Sequence, residues 1–205
     1  MLTQTIAHYH LHAARYSDQY DSIAAASVHA GWAEWLAEHP AGRALDVGAG
    51  SGRDAAWLAQ QGWQVTAIEP ARALREHGQR MTGDTVHWIE AQLPALDGVL
   101  DQETPFDLIL LSAVWMHLPA VQRPRAMRCL AEYLAPKGLM VITLRFGPSD
   151  PERPIYPVST LELSQLAAQQ GLVATLVDDA DTADQLQRTD IHWQTVCIRH
   201  RSAAR

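Results

Sequence analysis

Residues 44–52 read ALDVGAGSG, an apolar run that carries Asp46 and passes directly into Gly48, Gly50 and Gly52. A buried parallel strand turning sharply into a helix has this form. Glycine tolerates positive φ and lets the backbone approach a ligand closely, so the turn predicts a contact with bound substrate or cofactor. The stretch that follows, Arg53 to Gln61 with Gly62 as its stop, predicts a helix whose N-terminal amides point at the same spot. The chain is therefore expected to be α/β, with its ligand at the carboxyl end of the first strand.

The spacing separates two cofactor classes. A dinucleotide fingerprint, G-x-G-x-x-G, places its third glycine three residues after the second. Here the glycines fall at 48, 50 and 52, position 53 is Arg, and an acid precedes the first glycine by two. That disfavours a nucleotide-dependent oxidoreductase. The pattern D-x-G-x-G-x-G resembles the first motif of class I S-adenosylmethionine (SAM) methyltransferases. The resemblance implies that Gly48, Ala49, Gly50 and Gly52 cradle the aminocarboxypropyl end of SAM and that Asp46 helps organise its ammonium.

Further along, QVTAIEP (64–70) predicts a second strand ending in Glu69, about 20 residues past the first glycine, where a carboxylate accepts both ribose hydroxyls. Pro70 opens the next helix, in which Ala71, Leu74 and Met81 keep helical spacing. TVHWIEAQL (85–93) predicts a third strand. By resemblance, Glu90 accepts from the adenine amino group, with Ala91 and Gln92 beside the ring. FDLILLS (106–112) is the clearest buried strand, and the AVWMHLP after it is similar to the segment where the family's methyl group faces substrate. This implies cofactor contact at Ser112, substrate contact at Trp115, and His117 as the best-placed general base, with an imidazole pKa suited to neutral pH. Family members that methylate exocyclic amines of nucleic acid carry Asn or Asp, Pro-Pro and an aromatic there, unlike Ser112-Ala113-Val114-Trp115.

A helix is expected from about 120 to 134, then a turn at Ala135-Pro136-Lys137-Gly138 and a fifth strand over 139–146. The proline-rich stretch 147–158 predicts a semi-rigid loop at the ligand end of the sheet, with Arg145 and Tyr156 as substrate contacts and Arg153 as a further candidate. An arginine there favours a carboxylate or phosphate on the acceptor. Ser159-x-x-Glu162 is a capping box opening a helix to Gln170. LVATLVD predicts strand six, DDADTADQLQRTD a solvated acidic connector, and IHWQTVCIRH strand seven, before a frayed basic tail. The resemblance implies a Rossmann-like doubly wound sheet of seven strands, order 3-2-1-4-5-7-6 with strand 7 antiparallel.

Residues 1–42 are expected to form an N-terminal helical cap on a SAM-binding domain spanning 43–205. Val28, Trp32, Trp35 and Leu36 predict one amphipathic helix docked on the core. Tyrosine-bearing cap helices cover the SAM pocket in many small members of the family, which implies a cofactor contact at Tyr16 or Tyr20. His8, His10 and His12 alternate, but alternate residues share a face only on a strand, and this segment reads as helix or coil. No metal site is expected there.

The 205 residues suit one sizeable core. A net charge of −7 offers no general attraction for a phosphate backbone, so nucleic acid is not the expected partner. Cys129 and Cys197 match no metal spacing and read as free thiols of a reducing compartment. The N-terminus lacks a basic and apolar leader, and no apolar run approaches a membrane span, so a cytoplasmic protein is expected. Oligomeric state is not legible. Together these point to transfer of a methyl group from SAM, with S-adenosylhomocysteine as product, to a small-molecule acceptor. The alternatives are a SAM-binding regulatory subunit that does not turn over and an RNA methyltransferase.

Overall fold

The computed structural model describes residues 2–96, 98–101, 103–177, 182–186 and 188–201. Four helices precede the sheet: α1 (Leu2–Leu11), α2 (Ala13–Asp21), α3 (Ala25–Val28) and α4 (Glu34–Glu38). The alternating unit then runs β1 (Arg43–Val47), α5 (Arg53–Gln60), β2 (Gln64–Ile68), α6 (Arg72–Thr82), β3 (Val86–Ile89) and β4 (Phe106–Leu111). It continues with α7 (Arg123–Tyr133), β5 (Leu134–Phe146), α8 (Thr160–Gln169), β6 (Leu172–Leu176), the two-residue β7 (Thr182–Ala183) and β8 (His192–His200).

The sheet order is β3-β2-β1-β4-β5-β8-β6, with β7 paired to β8. Setting β7 aside, this is the expected 3-2-1-4-5-7-6. The first five strands pair in parallel, and β8 runs antiparallel to both β5 and β6. Strand order reverses between β1 and β4, and the crevice at their carboxyl ends is where an open α/β sheet takes its ligand.

Helices cover both faces, so the central strands are apolar throughout rather than alternating. Ile109 and Leu111 of β4 join Leu45, Met140 and Ile142 in one core layer with α7 and α8. Leu108 and Leu110 point the other way, to Ala44, Val65, Leu58 and Trp63, and onto Trp32, Trp35 and Leu36 of the N-terminal segment.

Several local expectations need correction. The single helix expected through Val28, Trp32 and Leu36 is broken into α3 and α4, because Gly31 stands where helix propensity is weakest. His29 caps α3 and turns inward, fully buried. The turn expected at 135–138 is absorbed into β5 as an irregularity: Phe106 pairs Leu134, yet Leu108 already pairs Leu139. Met81 is exposed, since α6 packs through Leu74 and Gly78 instead. Strand three stops at Ile89. The capping box is half formed: Ser159 Oγ accepts from the Glu162 amide at 3.1 Å, while the Glu162 carboxylate turns to the buried Arg123.

The acidic connector lies partly outside the described residues, as does most of the basic tail. Its described part is no solvated loop. Asp184 is buried and accepts from Arg188 Nη2 at 2.7 Å and Trp193 Nε1 at 2.9 Å. Burial opposes its charge, but these donors prevail and hold the carboxyl down at about 2.

Candidate active site

A cavity of about 430 Å³ opens at the carboxyl ends of β1 and β4, roofed by α1 and α2. Its floor is the glycine turn, where Gly48, Gly50 and Gly52 take φ of 73°, 58° and 89°. A Cβ on Gly48 would come within 2.6 Å of Val114, so that position admits no side chain. Amides of Gly48 and Ala49 both bond the Ile68 carbonyl, tying the turn to β2.

Two buried carboxylates flank the turn. Glu69, at the end of β2, accepts from the Gly50 amide (2.9 Å) and the Ala71 amide (2.7 Å). Burial pushes its carboxyl up to about 7, against the pull of those two amides. Asp46 is 1% exposed, and its Oδ2 lacks a hydrogen-bond partner. Burial, with the Asp54 charge beside it, drives Asp46 well above the usual carboxylate range. Asp54 goes the other way: although buried, it lies 3.2 Å from His29 and 2.7 Å from Arg53, which keep it charged. An orphaned acceptor beside a side-chain-free cradle fits a bound ammonium, the group a SAM amino acid end presents.

The opposite wall is built from β4, β5 and the 147–158 segment. Ser112 lines it, and Ala113 takes φ of 60° while its amide bonds Thr143 Oγ1 at 2.7 Å. Non-glycine backbone in this region carries strain of order 1–3 kcal/mol, which commonly marks functional positions. His117 follows in a short turn. Its Nδ1 donates to the Pro154 carbonyl at 3.1 Å, which leaves Nε2 to accept from Tyr9 Oη at 3.1 Å. Tyr9 Oη accepts in turn from Arg153 Nη1 at 2.9 Å. Burial, with help from Arg153 and Arg145, lowers His117 to about 4, so the imidazole is neutral at pH 7. Tyr16 stacks on Tyr20 and meets Tyr9 at a tilt, with ring centroids 5.6 and 4.8 Å away, and the Arg153 guanidinium lies 5.5 Å above its ring.

Among residues named from the sequence, Asp46, Gly48, Ala49, Gly50, Glu69, Pro70, Ala91, Gln92, Ser112, Tyr16, His117 and Arg145 share this cavity. Four do not line it. Gly52 instead lets α5 approach Trp88 and Gly78. Glu90 faces solvent and pairs with Arg75. Trp115, expected at the substrate, is fully buried in the core, because the turn after Val114 rotates it inward and presents Met116 and His117 to the cavity. Tyr156 ties its amide to the Met116 carbonyl at 2.8 Å and leaves the wall to Ile155. Tyr9, Asp184 and Arg188 also line the cavity, and no motif in the sequence signals them, because each reaches it from an element remote in the chain.

Sheet order, crevice and glycine turn together define a domain of the SAM methyltransferase type. The chain matches the family described as methyltransferase domain over residues 16–200, and it belongs to that family. It is 35% identical over 109 residues to protein-L-isoaspartate O-methyltransferase of Methylorubrum extorquens, a match covering 53% of this chain and 44% of that one. The chain thus spans less than half of that relative's length. Among solved structures, it resembles the 1,6-didemethyltoxoflavin-N1-methyltransferase of Burkholderia thailandensis (TM-score 0.73, 20% identity, 98% of this chain and 88% of that one). It also resembles a TehB-like SAM-dependent methyltransferase of Corynebacterium glutamicum (TM-score 0.65, 22% identity, 93% and 99%). No described helix is long and apolar enough to cross a membrane.

Proposed function

We propose that this protein transfers a methyl group from SAM to a small-molecule acceptor bearing a carboxylate or phosphate, with His117 as general base. The observation that carries the reading is the meeting of two sets of groups on one cavity: Asp46, Glu69 and the glycine turn on one wall, and the Arg153–Tyr9–His117 chain on the other. The Burkholderia relative in fold was solved with an acceptor and S-adenosylhomocysteine bound together, which supports the same division of labour.

In this reading the domain of residues 43–205 holds the cofactor and residues 1–42 cap it. Asp46 takes the ammonium of the amino acid end where the side-chain-free turn lets it approach, Glu69 takes the ribose hydroxyls, and Ala91 and Gln92 the ring. Tyr16 covers the pocket, and Ser112 borders the reacting end. Bound SAM supplies an already activated methyl on its sulfonium. What remains for the chain is to align the acceptor, exclude water and take a proton. Neutral His117 offers Nε2 for that proton, while Nδ1–H stays fixed on Pro154. The acceptor displaces Tyr9 Oη from Nε2, and its anion meets Arg145, whose Nε is buried and without a partner. Cys129 and Cys197, neither of them in a disulfide, suit a reducing cytoplasm.

Calorimetric titration with SAM, S-adenosylhomocysteine and NADH tests the cofactor. Micromolar binding of the first two, lost in Glu69→Ala, is the expected result. NADH binding without SAM binding would overturn the proposal. SAM binding that persists while every acceptor class fails, with His117→Gln silent in function, would favour a regulatory SAM-binding subunit.

A further inference from the structure

Helix α1 and His12, which joins it to α2 with its amide bonded to the His8 carbonyl, sort the three histidines that alternate in the sequence. His10 turns to α6, where its Nδ1 accepts from the Ala73 amide at 3.1 Å. His8 and His12 lie one turn apart on another face, their ring centroids separated by 4.6 Å. That face meets the 147–158 segment, which brings a Glu152 carboxylate oxygen to 3.7 Å from His8 Nδ1. One ligand atom from each of His8, His12 and Glu152 falls within 4.8 Å of the other two. As expected from the sequence, His8, His10 and His12 do not share one face here. A helix selects the i, i+4 pair instead, and the fold supplies the carboxylate.

We propose that His8, His12 and Glu152 bind a divalent transition cation, zinc in type, and that the bound ion clips the 147–158 segment onto α1. Two imidazoles and one carboxylate form a borderline donor set that suits zinc, with an open position for water. Calcium and magnesium would demand more oxygens. Ligand atoms in a tetrahedral zinc site sit about 3.3 Å apart, so the present spacing needs only a rotation of side chains. His12 and Glu152 are exposed and free to make it. His8 is held in place, 8% exposed, with Nε2 at 2.9 Å from Tyr16 Oη.

That outer hydrogen bond is the feature that orients a ligating imidazole. When Nε2–H donates to Tyr16, the Nδ1 lone pair faces the Glu152 carboxylate. Two acceptors then confront each other, an arrangement that a cation between them resolves. The neighbours of Glu152 are already fastened to α1: the Pro151 carbonyl accepts from Gln4 at 3.2 Å, and Arg153 reaches Tyr9. The ion adds a tie between these two and shuts the edge of the cavity. The inference does not depend on which reaction the cavity performs.

The test titrates chelator-treated, full-length protein with zinc chloride and with cobalt chloride, beside His12→Ala and Glu152→Gln. Both substitutions are at exposed side chains, and unchanged far-ultraviolet circular dichroism checks folding. The proposal expects one ion per chain, the visible absorption of tetrahedral cobalt, and at least tenfold weaker binding in either variant. Zinc should also slow amide exchange across 147–158 in the wild type. Absence of zinc binding, or equal affinity in either variant, would overturn the site. Tight binding with no added protection of 147–158 would overturn the clip.

Discussion

Tyr9 of α1 and His117 after β4 share a 3.1 Å hydrogen bond across 108 residues of sequence. The bond joins the cap to the sheet at the wall of the cavity. Arg153 donates to the same phenol oxygen, so the Tyr9 proton has one direction in which to go, toward Nε2. The imidazole is thereby held neutral, with Nδ1 fixed on Pro154 and Nε2 accepting from Tyr9.

The first prediction follows from that geometry. His117→Gln should lower kcat by 10²-fold or more for an acceptor that loses a proton, the usual scale of general base catalysis. SAM affinity, measured by calorimetry, should stay within about threefold. Tyr9→Phe keeps the ring packing and removes a hydrogen bond that the acceptor displaces in any case, so kcat should stay within about threefold. With His117 lowered to about 4, the acid limb of kcat/KM for the acceptor, measured at saturating SAM, should fall near pH 4 rather than near 6.5. An acid limb near 6.5 would remove His117 from the role.

Glu69 gives a second pH dependence, from a pKa shifted in the opposite direction. Its carboxyl is raised to about 7, and ribose hydroxyls donate best to the ionised form. SAM affinity should therefore rise about tenfold between pH 6 and pH 8 and flatten in Glu69→Gln. Stability of the free protein runs the other way at this residue. A raised carboxyl pKa stabilises the fold below the unfolded value of 4.5, and that contribution is lost as pH rises toward 7. The depressed His117 contributes above 6.5, and its share is lost as pH falls toward 4. The two offset each other between 4.5 and 6.5, so denaturation of the two single variants across that window separates them.

The sheet was legible because each central strand is a short apolar run closed by a turn signal, as FDLILLS shows. The glycine turn and Glu69 were legible for the same reason: backbone geometry dictates their type and spacing. Trp115 was misplaced because one residue of rotation in a short turn exchanges wall for core, and no periodicity exists over so few residues to fix the phase. Glu90 was misplaced by resemblance alone, since Arg75, one helix away, competes for its carboxylate. Tyr9, Asp184 and the pairing of His8 with Glu152 depend on elements meeting across the fold, which a single sequence does not reveal.

Gly78 tests how closely α6 must approach β3. In a helix interior, Gly→Ala ordinarily stabilises by about 1 kcal/mol. Here a Cβ would overlap the Trp88 ring and sit 3.1 Å from the Ser51 carbonyl. Overpacking costs about 1–3 kcal/mol, enough to reverse the sign. Urea denaturation should show Gly78→Ala less stable than wild type, and Trp88→Leu in the same chain should recover part of the loss. A stabilised Gly78→Ala would mean that the ring moves aside without cost.

Arg145 offers a test of the acceptor charge proposed above. The side chain is 7% exposed, Nη1 donates to the Pro148 carbonyl at 3.0 Å, and Nε has no partner. Burial, with Arg153 and Arg188 nearby, lowers its pKa, the mark of a cation short of counter-charge. A buried cation in that condition is stabilised by an anion, and the cavity is where one would enter. Arg145→Gln should raise KM for an anionic acceptor at least tenfold, since a hydrogen bond to a charged group contributes about 1.5–3 kcal/mol. It should leave kcat within about threefold, because an interaction made equally in ground and transition state changes only binding. Arg145→Lys keeps the charge and loses the planar fork, so its KM should lie between the two. Steady-state kinetics with a matched pair of acceptors, one carboxylate and one its neutral amide, completes the argument. The wild type should prefer the carboxylate and Arg145→Gln should not, and a preference that survives the substitution would place the anion elsewhere in the cavity.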